Sequence, residues 1–177
     1  MNGFNVAEAG HVVQVIPPQN ITGGIVGQAF SMAKYKHASI IILIGANASA
    51  ATKIVLSVGT ATAAVGSAVA NATAIPYNLY SQTTVSGDVL SAIANVAAAG
   101  QTPTGNAETF YVIEIDANEL EAANTINTED TVLGDSLGVF NYLQLSITNG
   151  ANADYVAAVA ILSGSRYANV ASATVIT

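Results

Sequence analysis

Residues 109–116, TFYVIEID, decide how this chain reads. Tyr111, Ile113 and Ile115 fall on one side of an extended strand while Glu114 and Asp116 fall on the other, the two-residue period of a sheet buried on one face. The same period recurs at 52–58, where Lys53 and Ser57 oppose Ile54, Leu56 and Val58. It recurs again in 139–148, where Leu143, Leu145 and Ile147 alternate with Gln144, Ser146 and Thr148.

Other short segments with β character lie at 38–44 (ASIIILI), 74–80 (AIPYNLY) and 155–162 (YVAAVAIL). The apolar runs at 40–44 and 156–162 lack alternation, which predicts strands covered on both faces; periodicity alone leaves a buried helix open for the second. Only 116–124 predicts a helix, of one or two turns, with Asp116 as N-cap and Glu119 three residues on as in a capping box. Segment 59–73, GTATAAVGSAVANAT, is low in complexity and reads as a strand pair or a loop. Many short strands parted by turn residues predict an all-β protein, an antiparallel β-sandwich or jelly roll with an extended N-terminal arm.

That arm is expected over 1–24, ahead of a single β-sandwich domain over 25–177. Pro17 and Pro18 forbid helix and keep the chain extended, and Gly23-Gly24 loosen it. His11, Val12, Val13, Val15 and Ile16, within HVVQVI, are then placed to add as a strand to a sheet edge on a neighbour. The alternative is that HVVQVI is the first strand of the same sandwich.

The 177 residues are 51% hydrophobic and 8% charged, with a net charge of −7 and no cysteine. Absent cysteine excludes disulfides, thiolate chemistry and the common structural zinc sites. The longest apolar runs fall far short of the roughly 18 residues that span a bilayer, so no membrane segment is expected. The first residues show no secretory signal. Nucleic acid is disfavoured, because its binding draws on clustered Lys and Arg, and the chain has only Lys34, Lys36, Lys53 and Arg166. Alanine supplies 33 residues, each burying a single methyl, so the core is thin for its composition. Sparse charge gives little protection against association, which predicts a homo-oligomer, with a trimer favoured.

No catalytic set emerges. Gly134-Asp135-Ser136-Leu137-Gly138 matches both the G-x-S-x-G elbow and the GDSL string of a lipase-like hydrolase family. A serine nucleophile needs a histidine, and His11 and His37 both lie far upstream where these enzymes place theirs downstream. A glycine-bracketed turn is the expectation for Ser136, and the protein is expected not to be an enzyme. Eight of the eleven acidic residues lie between Glu108 and Asp135 with no Lys or Arg among them. Asp116-x-Asn118 lacks the further oxygen ligands and the glycine of a calcium loop. Paired carboxylates for glycoside hydrolysis are available in Glu114, Asp116 and Glu119, without the tryptophan that usually lines such clefts. No metal and no cofactor is therefore expected. The stretch KYKHAS at 34–39 is either an anion contact or a solvated strand entrance. Lys34, Lys36 and Arg166 are the cationic candidates for contact with a partner.

The ordered set FSMAKYKHASIIILIGA, AIPYNLY, YVIEIDANEL and VAAVAILSGSRYA, over about residues 23–168, resembles the head decoration (cement, or auxiliary capsid) proteins of tailed bacteriophages. The resemblance implies a compact β-sandwich or jelly-roll body, no catalytic residues, and the major capsid protein as partner. It implies a structural virion protein, made in the host cytoplasm, that stabilises the outer capsid surface as an oligomer. The alternative is a ligand- or carbohydrate-binding β-sandwich module of a virion fibre or tail. An exposed aromatic platform, with Tyr77, Tyr80, Tyr111 and Tyr142 around one cleft, would mark that alternative.

Overall fold

A computed structural model describes residues 6, 10–45, 53–82, 88–102, 109–124, 142–148 and 154–165. Eleven strands and one helix follow one another in these parts of the chain. They are β1 (His11–Ile21), β2 (Ile25–Val26), β3 (Phe30–Ser31), β4 (Tyr35–Ile44), β5 (Lys53–Gly59), β6 (Thr73–Ala74), β7 (Tyr77–Gln82), β8 (Ser91–Val96), β9 (Thr109–Asp116), α1 (Ala117–Asn124), β10 (Tyr142–Thr148) and β11 (Asp154–Ser165). Ser136 lies outside the described residues.

The strands form two antiparallel sheets. The larger runs β1-β11-β4-β9-β7-β8, and the smaller runs β2-β10-β5-β6 with β3 also on β10. The pairing is nested: β1 meets β11, β2 and β3 meet β10, β4 meets β9, and β5 meets β6. A long hairpin rolled over on itself gives this order, which is the topology of a jelly roll. The β7–β8 hairpin is inserted between β6 and β9 and widens the larger sheet beyond β9.

Alternation put the core where the sequence predicted it. Tyr111, Ile113 and Ile115 of β9, Ile54, Leu56 and Val58 of β5, and Leu143, Leu145 and Ile147 of β10 all point between the sheets and are buried. At one side of the roll Gly27 N–H donates to Leu145 O and Gln28 N–H to Val15 O, each 2.8 Å. At the other, Ile54 and Gln101 exchange backbone hydrogen bonds of 2.8 and 3.0 Å, and the buried Tyr77 hydroxyl donates to Ile54 O at 2.6 Å. Gly100 makes that closure possible, because its φ is +83° and a Cβ there would lie 2.4 Å from Ile54 O.

Two expectations are corrected. Residues 11–21 are not the outer part of an arm but a strand of the body: β1 pairs with β11 from His11↔Leu162 to Ile21↔Asp154. Val13, Val15, Ile16 and Ile21 are core residues, so the division at residue 24 does not separate two structural units. The prolines do not evict the segment because β1 is the outermost strand and its register shifts between Ile16 and Gln19, where a missing N–H removes no ladder bond. The second correction concerns IIILI. Ile40, Ile42 and Ile44 are buried, but Leu43 on the opposite face is half-exposed and Ile41 only half-buried, so that face is not covered as predicted.

The low-complexity segment 59–73 is a loop that ends in β6, and it lies across the outer face of the smaller sheet. Gln144 pins it there from β10. Its Oε1 accepts from Val69 N–H at 2.9 Å, and its Nε2 donates to Gly27 O at 2.9 Å and Ser67 O at 2.7 Å. Further bonds run from Gly66 N–H to Val26 O and from Ala29 N–H to Ala63 O.

Candidate functional site

Two features share the outer face of the larger sheet, a polar cluster at one end and an apolar band over the rest. The cluster arises from cross-strand register. His37 sits opposite Asp116 and Ser39 opposite Glu114, in β4 and β9, with all four side chains on the face away from the core. His37 Nδ1 lies 2.7 Å from Asp116 Oδ1, and Nε2 lies 2.6 Å from Glu114 Oε2. Ser39 Oγ donates to the same Glu114 Oε2 at 2.7 Å.

Serine, histidine and aspartate thus stand in the order of a hydrolytic triad, but the chemistry is different. Ser39 Oγ is 3.4 Å from His37 Nε2, and Glu114 holds both the hydroxyl and that ring nitrogen. A ring that donates from both nitrogens is an imidazolium, with no lone pair to take a serine proton. Partial burial disfavours charge on the ring, yet the hydrogen bonds and charges of Asp116 and Glu114 outweigh it and raise the His37 pKa above 6.5. The arrangement is an ionic clamp across two strands. Glu119 Oε2 accepts from Asp116 N–H at 3.0 Å, as the capping box predicted, and α1 begins directly beyond the clamp.

Among the described residues no group of three His, Asp or Glu is placed to hold a metal ion. Asp116 of the calcium reading is engaged by His37 instead.

The band is built by the outward residues of four strands. Val12 lies beside Ile161, Val159 beside Ile41 and Ile41 beside Val112, and Ala157, Leu43 and Phe110 make the next row. Tyr155 closes it near Gly45. Val12 and Leu43 are each 51% exposed and Tyr155 is 64% exposed, while the residues between them are half-buried and Val112 is buried. Taking about 4.8 Å between strands and about 6.8 Å between alternate residues, these nine positions cover roughly 300 Å², the lower end of the range for the largest apolar patch on a monomer.

The candidate interaction residues separate. Val12 joins the band, whereas Val13, Val15 and Ile16 belong to the core. The His11 ring stacks on Tyr35 at 5.7 Å and 10°. Lys34 is exposed in the turn before β4, and Lys36 lines a shallow recess with Asp116, Ala117 and Asn118. Arg166 lies outside the described residues. The clamp was missed because neither H-x-S at 37–39 nor E-x-D at 114–116 says which strand will lie beside it. The four tyrosines do not share a cleft. Tyr77 and Tyr111 are buried between the sheets, Tyr80 is on the outer face of the larger sheet, and Tyr142 is on the smaller one.

The fold and these features define a jelly-roll body with one outer face covered by its own loop and the other turned apolar toward its surroundings. No family model, curated protein or solved structure matches the chain. No helix among the described residues is long and apolar enough to cross a membrane.

Proposed function

We propose that this is a structural virion protein of a tailed bacteriophage that binds the outer capsid surface, with the major capsid protein as partner, and acts as an oligomer, a trimer being favoured. The observation that carries this reading is the apolar band. A sheet that is apolar on both faces is ordinarily covered on both, and here the chain covers its smaller sheet with loop 59–73 but places no described segment over the larger one. A partner supplies that cover in a working assembly. Jelly rolls serve both as capsid and as lectin domains, so fold alone does not choose between them. The scatter of the four tyrosines favours the capsid role over a carbohydrate-binding module. No catalytic residue is assigned.

The test is sedimentation of the purified chain with expanded heads assembled from the major capsid protein of the same gene cluster, followed by negative-stain imaging. The expected result is saturable binding at regular positions on the shell. Heads that stay bare at micromolar protein overturn the proposal.

A further inference from the structure

We infer that His37 is a proton-operated latch on α1: protonated, it holds the start of the helix to β4, and loss of the proton releases the helix while the two sheets stay folded. The latch is a property of the free chain and does not depend on the capsid proposal. His37 and Asp116 form the last rung shared by β4 and β9, and Ala117, the next residue, opens α1. Asp116 is therefore both the carboxylate on His37 Nδ1 and the N-cap of the helix, its N–H donating to Glu119 Oε2. Among the described residues little else holds the helix. It is eight residues long, and helices below about 12–15 residues are marginal by themselves. It carries Glu119 and Glu121 but no basic residue, and of its described side chains Ala117 and Leu120 are the buried ones. A short peripheral element of this kind opens more readily than the core strands beneath it.

The proton decides which carboxylate stays. An imidazolium donates to both Asp116 and Glu114, whereas a neutral ring has one N–H and one lone pair and must turn the lone pair on one of them. Glu114 Oε2 keeps a second donor, the Ser39 hydroxyl at 2.7 Å. The Asp116 side chain is 59% exposed, against 35% for Glu114, and it lines a recess with Lys36, so water and an ammonium are at hand to take it. Asp116 is the one released, and with it the N-terminus of α1. The groups around the ring leave its proton as the variable. They are Lys36 and Ser39 on β4, Glu114 and Asp116 on β9, Glu119 on α1 and Asn78 of β7 opposite Glu114. From β11 come the uncharged Ser163 beside His37 and Gly164 against the Lys36 stem, and Lys34 is exposed in the turn before β4. Among these types only histidine changes charge between pH 5 and 8. Partial burial works against charge on the ring, yet the hydrogen bonds and charges of Asp116 and Glu114 raise its pKa. The latch is therefore closed below the ordinary histidine value and opens as pH rises through the higher one.

The chain has two histidines, so isotope-labelled histidine gives two ring signals, and the one absent from His37→Gln is His37. Its titration is followed by NMR beside amide hydrogen exchange, read by mass spectrometry on peptides from α1, β5 and β10 and corrected for the intrinsic pH dependence of exchange. The expected result is that α1 loses protection over the pH range in which His37 titrates, while β5 and β10 keep theirs. The loss should be about tenfold for each pH unit by which the ring titrates above its unlatched value. In His37→Gln the corrected protection of α1 should not change with pH. Asp116→Asn keeps a good N-cap but removes the charge, and should lower the pH of the His37 titration and shrink the response of α1. Protection of α1 that stays constant across the His37 titration overturns the latch. So does an undiminished response in either variant, or an equal loss of protection in β5 and β10, which would make the opening a global one.

Discussion

His37 lies between two carboxylates, which favour its protonated form and raise its pKa in the folded state. A raised histidine contributes stability that is complete below its unfolded pKa, near 6.5, and is lost as pH rises through the higher folded value. The melting temperature is therefore expected to fall as pH is raised from 6.5 into the alkaline range. In His37→Gln that fall should shrink, a comparison that thermal melts in a pH series will make. Gln144 is a different kind of polar residue, buried and fully engaged. Gln144→Leu removes one acceptor and two donor bonds and strands Val69 N–H and Ser67 O under the loop. At about 1–3 kcal/mol for each buried group left unpaired, the expected loss is roughly 2–6 kcal/mol, read by urea denaturation, with loop 60–70 becoming sensitive to protease. The sequence placed Gln144 opposite Leu143 and Leu145 as a solvent-facing residue. It is buried because a loop distant in sequence lies on top of it, which no local pattern reports.

At the scale of elements, strand identity was legible and strand membership was not. The alternation in 109–116 and 52–58 and the capping pair Asp116 and Glu119 each concern neighbours within a few residues. The short strand β8 escaped notice because Ser, Ala and Asn interrupt its apolar pattern. Pro17 and Pro18 carry a strong local signal that keeps an arm open beside a first strand for β1, yet an edge strand tolerates proline that a central one does not. A core strand makes a clear expectation: removing residues 1–24 takes Val13, Val15, Ile16 and Ile21 out of the core. The truncated chain should be insoluble or melt without cooperativity, as judged by circular dichroism. The milder Ile16→Ala, at a fully buried site, is expected to lose about 2–5 kcal/mol. A truncated chain that melts cooperatively would restore the arm.

For the whole molecule, nested pairing has a kinetic consequence. β1 cannot complete its ladder until β11 arrives from the far end of the chain, and β2 likewise waits for β10. Topologies dominated by such distant pairings fold in roughly milliseconds to seconds, so stopped-flow refolding is expected in or beyond that range and not in microseconds. What the sequence by itself determined was the class of structure and the core-facing sides of β5, β9 and β10, because a two-residue period assigns each side chain to a face without reference to any other strand. What only the tertiary structure decided was which strands are neighbours, and hence that His37 meets Glu114 and Asp116. It also decided which of two apolar faces the described residues leave uncovered. Ile41 and Leu43 are as apolar as Ile40 and Ile42; they differ because the second sheet packs on one side of β4 and the chain sends its covering loop elsewhere.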